Sequence, residues 1–284
     1  MANIRLIRRR IRSIQSTAKI TKAMEMIATS KMRRCQERVI ATRPYAERMS
    51  QLVAHLAALP HEGEALHPLL EHRPVERIAI VHITADRGLC GGLNSSVNRE
   101  SARFILEQGV PATIIPVGKR GRNFMLRTGQ DVRAEFIGVG DRPTLLDTLP
   151  ISRIVIDDYT GRLVDRVYLA YPRFVTTMVQ RPVMEQLLPI EPEAAEWVSV
   201  EYIYEPSSRV VLGDLLPRFV EMQVYHAILE SIASEQSARM VAMRNATDNA
   251  NDLIQDLTLM YNKARQEMIT KELLDITGGV VALE

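Results

Sequence analysis

The sequence predicts an α/β protein of uneven build: a long antiparallel two-helix coiled coil formed by its N- and C-terminal helices, plus a central α/β domain. Three observations predict it. A 3,4 stride from Ile4 meets Ile4, Ile7, Ile11, Ile14, Ala18, Thr21, Glu25, Ala28, Met32, Cys35, Val39, Thr42, Ala46, Met49, Val53 and Leu56. The same stride from Leu212 meets Leu212, Leu215, Phe219, Met222, His226, Leu229, Ala233, Gln236, Met240, Met243, Thr247, Ala250, Ile254, Leu257, Tyr261, Ala264 and Met268. Between them, short β-branched runs alternate with helical stretches. A sustained 3.5-residue apolar repeat keeps one seam facing a partner helix. Two such seams in one chain pair most economically with each other, antiparallel.

The first helix is predicted from about Asn3 to about Leu59, with a bend near Arg43–Pro44, where proline removes a backbone donor. Pro60, Gly63 and Pro68 mark a linker. The run 77–84 is apolar and β-branched, a buried strand, and it enters the glycine loop Asp86–Asn94 and then a helix to Glu107. Residues 112–117 read as a second strand, 121–127 as a short helix, 131–137 as a third strand and 145–159 as a helix. Strands follow at 166–171, 176–183 and 198–204. This alternation predicts a Rossmann-like middle domain with a largely parallel sheet. The last helix starts around Ser207–Val211 with Ser208 as its cap, and runs to about Leu274. Pro217 marks a kink or a restart, and Gly278–Gly279 a looser tail. The expected division is therefore 1–59, 60–206 and 207–284.

If both helices leave the middle domain together, they share a rod of about 80 Å at 1.5 Å per residue, and the second overhangs by roughly 20 residues. The overhang ends in the nearly uncharged Thr277–Glu284. A lone helix with such a surface is expected to work inside a surrounding sleeve.

Charge is divided unevenly. Residues 1–57 carry 13 Lys/Arg against 3 Asp/Glu, whereas residues 209–284 carry 7 against 11. The basic first helix thus meets an acidic last helix, with positive charge left over for an acidic external partner. No stretch approaches a membrane span. The Arg-rich start has no apolar region behind it, so it does not read as a secretory signal. Cys35 and Cys90 lie 55 residues apart without a CxxC companion, which offers neither a metal site nor a disulfide framework.

Motifs that could carry chemistry are weak. Gly88, Gly91 and Gly92 follow a strand and precede a helix, where phosphates bind in many α/β folds, yet they match neither GxGxxG nor GxxxxGK[ST]. They are read as a structural turn. His61, His67 and His72 lie in the linker without Cys or paired carboxylates at ligand spacing, and Asp157 and Asp158, being adjacent, point apart. No catalytic, cofactor or metal residues are therefore assigned. The densest charge signal is the first helix: Arg5, Arg8, Arg9, Arg12, Lys19, Lys22, then Lys31, Arg33 and Arg34. It lacks the interleaved aromatics of a nucleic-acid surface and the broad apolar stripe of a membrane-surface helix.

At Lys19–Arg33 (KITKAMEMIATSKMR) the chain closely resembles the gamma subunit family of F-type ATP synthases. The segments 43–47, 84–94, 187–189, 234–249, 261–266 and 269–273 resemble it too, in order along nearly the whole chain. The resemblance implies a central rotor shaft within a ring of three alpha and three beta subunits, coupling proton flow to ATP synthesis, with the middle domain against the epsilon subunit and the membrane c-ring. It implies a non-catalytic bacterial subunit without cofactor, nucleic acid or small-molecule substrate, peripheral to the cell membrane on its cytoplasmic side. It also implies that the catalytic ring meets Lys19, Lys22, Met24, Arg33 and Arg34, and at a second belt Arg265, Gln266 and Thr270. Relatives in chloroplasts and cyanobacteria carry an insertion in the middle domain, with a regulatory cysteine pair in the chloroplast form; this chain shows neither. The competing readings are a basic coiled-coil adaptor and a nucleotide-dependent α/β enzyme with coiled-coil arms.

Overall fold

The computed structural model describes residues 4–58, 67–191, 205 and 207–281. Two compact units emerge, Met1–Ala28 with Arg239–Glu284, and Thr29–Ala238. Helices α1 (Ile4–Ala58) and α5 (Ser208–Val281) contribute to both.

In the first unit the predicted stride is the buried stripe. Ala18, Thr21, Glu25 and Ala28 are buried on α1, and Met240, Met243, Thr247 and Ala250 on α5. Thr21 meets Thr247, and Glu25, four residues further along α1, meets Arg244, three residues earlier on α5. The helices are therefore antiparallel.

The second unit holds a five-stranded sheet in the order β3-β2-β1-β4-β5. Its strands are β1 (Ile78–Ile83), β2 (Ala112–Val117), β3 (Asp131–Val132), β4 (Arg166–Phe174) and β5 (Gln180–Leu188). The β1–β2, β1–β4 and β2–β3 pairs are parallel, and β4–β5 is an antiparallel hairpin. Every residue of the central strand β1 is buried, as expected of a strand covered on both faces. Its side chains alternate between two cores. Ile78 and Ile80 pack with Ile114, Tyr168 and Met125, against Phe104 of α2 (Leu93–Gln108) and Phe124 of α3 (Lys119–Arg127). Ala79, Val81 and Ile83 face a larger core with Ile151, Val155 and Tyr159 of α4 (Leu145–Thr160), Val53 and Leu56 of α1, and Leu212, Leu216, Val220 and Val224 of α5. Within residues 212–238, α5 thus carries a second buried stripe besides its heptad seam.

Several boundaries differ from the sequence expectation, among them that of the strand expected at 166–171, which runs on to Phe174. The third strand shrinks to Asp131–Val132 plus one bridge between Val117 and Phe136. On that edge β2 bonds through Ile114 and Pro116, whose carbonyls accept from Arg133 and Phe136. Pro116 has no N–H to return, so the ladder breaks there. The strand placed at 176–183 begins at Gln180, because the Thr176 hydroxyl accepts the N–H groups of Met178 (3.3 Å) and Val179 (3.1 Å) and folds the segment into the hairpin turn. Ser207 rather than Ser208 caps α5, accepting from the Val210 N–H at 3.4 Å. Helix α5 also runs unbroken through Pro217 and on to Val281, with Leu216 and Val220 buried on either side of the proline. Pro44 likewise lies inside continuous α1. The strand expected at 198–204 lies outside the described residues.

Candidate functional site

The glycine loop is closed by its own side chains. The Asp86 carboxylate accepts the N–H of Lys119, the first residue of α3, at 2.9 Å with Oδ1, and that of Gly138 at 2.9 Å with Oδ2. Asn94 Oδ1 accepts from the Ala85 N–H at 3.0 Å. Gly91 takes a left-handed φ of 59°, and Gly92 precedes α2. Gly88 lies beneath the Arg120 guanidinium, which a Cβ would meet at 2.9 Å. Behind the loop, Gly118 at φ 102° leaves no room for a Cβ, which would sit 2.0 Å from the Thr84 carbonyl oxygen. Gly121 lets α3 press on His82, whose buried ring bonds Asn98 (2.8 Å) and Ser101 (3.0 Å). Burial drives the His82 pKa down to about 4, so the ring is neutral. Asp86 thus ties the end of β1 to the start of α3 and to Gly138, while the start of α2, which follows the glycine loop, has Gly92 as its cap and no side-chain cap bond. Among the described residues no group of three or more His, Cys, Asp or Glu side chains could hold a metal ion.

The remaining assigned residues lie on helix surfaces. Lys19, Lys22 and Met24 are exposed on α1 in the first unit. Lys22 is held by Glu25 (Nζ to Oε2, 3.0 Å), which is only 5% exposed. Arg244 donates to the other oxygen of Glu25 through Nε at 3.1 Å. Lys22 first, then Arg244, hold this carboxyl below its ordinary pKa of 4.5 against the opposing cost of burial. Thr21 and Thr247 share a buried hydroxyl–hydroxyl hydrogen bond of 2.7 Å one turn away. Glu25 and Thr21 are polar positions on the otherwise apolar predicted stride. The missed signal was their partners: Thr247 stands on the facing stride, and Arg244 beside it.

Arg33 and Arg34 belong to the second unit. Arg33 pairs with Glu37 at 3.3 Å on a largely exposed face, a contact worth little in water. Arg34 bonds the Ser30 carbonyl and hydroxyl, each at 3.2 Å. With Lys31, Arg38 and Arg142 it lines an open cleft of about 620 Å³. Asp141 lies in this cleft, accepting from Lys31 Nζ (2.5 Å) and Gln236 Nε2 (3.1 Å). Burial, then Asp141, raises the pKa of the neighbouring Cys35 thiol, which favours the neutral form.

At the far end of α5, every side chain from Arg265 to Leu274 is exposed, including Arg265, Gln266 and Thr270. So are the apolar Met268 (45%), Ile269 (42%), Leu273 (58%) and Leu274 (64%). The reason is length. With Thr21 opposite Thr247, the first residue of α1 falls opposite about residue 264. Among the described residues, α5 has no partner helix within its unit beyond that point. No described helix is long and apolar enough to cross a membrane.

The chain as a whole has close relatives. A family model described as ATP synthase matches residues 3–283. The ATP synthase gamma chain of Dehalococcoides mccartyi (strain 195) is 63% identical, over the full length of both chains. The ATP synthase gamma chain of Herpetosiphon aurantiacus is 52% identical, over all of this chain and 99% of that one. Among solved structures, the chain resembles one from the Tetrahymena thermophila mitochondrial ATP synthase central stalk and c-ring, at 27% identity and TM-score 0.62, covering 80% of this chain and 99% of that one. It also shares its fold with a chain of the Euglena gracilis mitochondrial ATP synthase, at 23% identity and TM-score 0.69, covering 99% and 94%.

Proposed function

Because the chain belongs to the ATP synthase gamma family, we propose that it is the central rotor shaft of a bacterial ATP synthase, a non-catalytic subunit turning within a ring of three alpha and three beta subunits. The observation that carries this reading is the far end of α5. Its exposed side chains mix directional polar groups with Met268, Ile269, Leu273 and Leu274, a surface suited to an enclosing sleeve rather than to water. Arg265, Gln266 and Thr270 would offer hydrogen bonds to one belt of the ring. Lys19, Lys22, Met24, Arg33 and Arg34 would meet its acidic loops. The parts divide as 1–59, 60–206 and 207–284, with the middle domain resting on the epsilon subunit and the c-ring. The chain is then peripheral to the cell membrane, on its cytoplasmic side, and couples proton flow to ATP synthesis.

The mechanism needs no bond chemistry from this chain. One asymmetric body in a threefold ring presents a different surface to each of three otherwise equal nucleotide sites. Each orientation therefore shifts their conformational equilibria unequally, and rotation passes the bias from site to site. The mismatch of Gly88, Gly91 and Gly92 with both phosphate-binding motifs supports the non-catalytic part of the reading. Affinity purification of the tagged chain from cells expressing all subunits should recover one copy per six-membered ring, and the chain alone should hydrolyse no ATP. Recovery as a lone monomer, or ATPase activity surviving complete removal of ring subunits, would overturn it.

A further inference from the structure

The polar layer in the seam of the first unit has no counterpart among its apolar neighbours. An antiparallel pair built only of Ala, Met, Ile and Leu contacts can slide by a heptad and still bury an apolar stripe. Ile4, Ile7, Ile11 and Ile14 on α1, and Ile254 and Leu257 on α5, supply such an interchangeable surface. Glu25 does not. In the observed register its two oxygens take Arg244 and Lys22, while Thr21 meets Thr247. A slide of one heptad either way would replace Arg244 by Ser237 or Asn251 and Thr247 by Met240 or Ile254. Lys22 would remain, but the carboxylate would lose its cross-helix cation, and the Thr21 hydroxyl its partner, inside a closed seam. A charge left with an unmatched buried oxygen is among the costlier defects in a packed interface.

We infer that Thr21, Glu25, Thr247 and Arg244 form a register lock, which excludes the heptad-shifted pairings that the apolar seam alone would permit. Glu25 and Arg244 set the charge match, and the threonine pair one turn away makes the match two-sided. Only a lock that joins the helices to each other has this effect. Lys22 lies on the same helix as Glu25 and slides with it, so it stabilises the carboxylate without selecting a register. If the chain works as a shaft, the lock makes the two helices carry load as one body. The lock itself does not depend on that reading.

The test uses the full chain, purified alone, with reporter cysteines at Ala18 and Ala250, which are buried in the seam at the same pairing as Thr21 and Thr247. Parallel chains carry the reporter at Ala18 with Leu257, or with Met243, one heptad on or back. Oxidation followed by peptide mapping counts in-register and shifted disulfides separately from native Cys35 and Cys90. With Glu25 present, Ala18→Cys should couple to Ala250→Cys and give little product with the other two. Glu25→Gln should lower the ratio of in-register to shifted product about tenfold, as expected from loss of a buried charge match. Arg244→Gln should lower it as well, whereas Lys22→Gln should not, a contrast that general loosening of the helix would not produce. An unchanged ratio in both Glu25→Gln and Arg244→Gln overturns the lock. So does an equal fall with Lys22→Gln.

Discussion

Helix α5 is buried in two different ways along its length. From Met240 to Ala264 it hides one stripe, Met240, Met243, Thr247 and Ala250 most fully, flanked by the half-buried Val241, Ala242 and Ala246, and the rest faces outward. Between Leu212 and Ser237 it is buried or half-buried on the seam and buried at further positions as well: Leu216, Val220, Val224, Ala227, Ile228, Ser231, Ile232, Ser234 and Ser237. The polar groups follow suit. In the first stretch buried polar side chains bond across to another helix, as Thr247 does. In the second, two of them bond to backbone of the β4–β5 hairpin: the Ser234 hydroxyl donates to the Pro172 carbonyl of β4 at 2.8 Å and that of Ser237 to the Thr177 carbonyl of the turn at 2.6 Å. Small hydroxyl residues let the helix lie close to the hairpin while keeping these carbonyls satisfied. One continuous helix thus has a segment that is replaceable around most of its circumference and a segment that is replaceable almost nowhere.

The largest expected effect that would sharpen this contrast lies in the α/β domain. Gly118→Ala places a Cβ against the Thr84 carbonyl at a φ where side chains are strained, and should cost about 4 kcal/mol or more. Urea unfolding should show the domain lost or nearly so; a near-normal midpoint would mean the packing is looser than its geometry implies. The next effect is a dependence on pH. His82 has a folded pKa of about 4 against an ordinary 6.5, so the unfolded chain binds the additional proton between those values. Stability from this group is complete above pH 6.5 and falls as pH drops toward 4, by up to about 3 kcal/mol. Hydrogen exchange at the β1 amides should quicken across that window, and His82→Gln should flatten the slope. A flat wild-type profile would break the claim that the ring is sealed. The smallest effect belongs to the other region. Leu273→Ser, on the exposed far end of α5, should change the stability of the isolated chain by less than about 0.5 kcal/mol, because the side chain leaves water nowhere. A larger loss would mean that this stretch is packed on something within the chain itself.

The same contrast explains what could be read in the sequence. The seam was legible because a single buried stripe with a fixed period leaves its mark residue by residue; Ala18, Thr21, Glu25, Ala28, Met32 and Cys35 fall on the predicted stride and are all buried. Strands β1 and β2 were legible because double burial demands unbroken β-branched runs. The second stripe of α5 was not, since a helix buried on several faces has no moment to reveal it and its Ser and Ala positions look neutral. The edge strands slipped for local reasons, a proline that cannot donate and a threonine that turns the chain, which depend on who the neighbour is. Of the candidate site residues, the charged ones were visible as a run of like charge. What each one holds was not: the tie of Glu25 to Arg244, more than two hundred residues away in sequence, follows from a pairing that no local pattern encodes.

Asp86 has a further consequence. The backbone donors at Lys119, where α3 starts, and at Gly138 could serve a bound anion, and here they already hold one that cannot leave. The α/β domain is in effect a complex whose ligand is covalently attached, so its occupancy has no concentration dependence. Cellular ATP rises and falls with demand, and a domain that bound nucleotide at this helix start would stiffen and soften with it. With a tethered carboxylate in that position, the tie between the end of β1, the start of α3 and Gly138 is the same in a starved cell and a fed one.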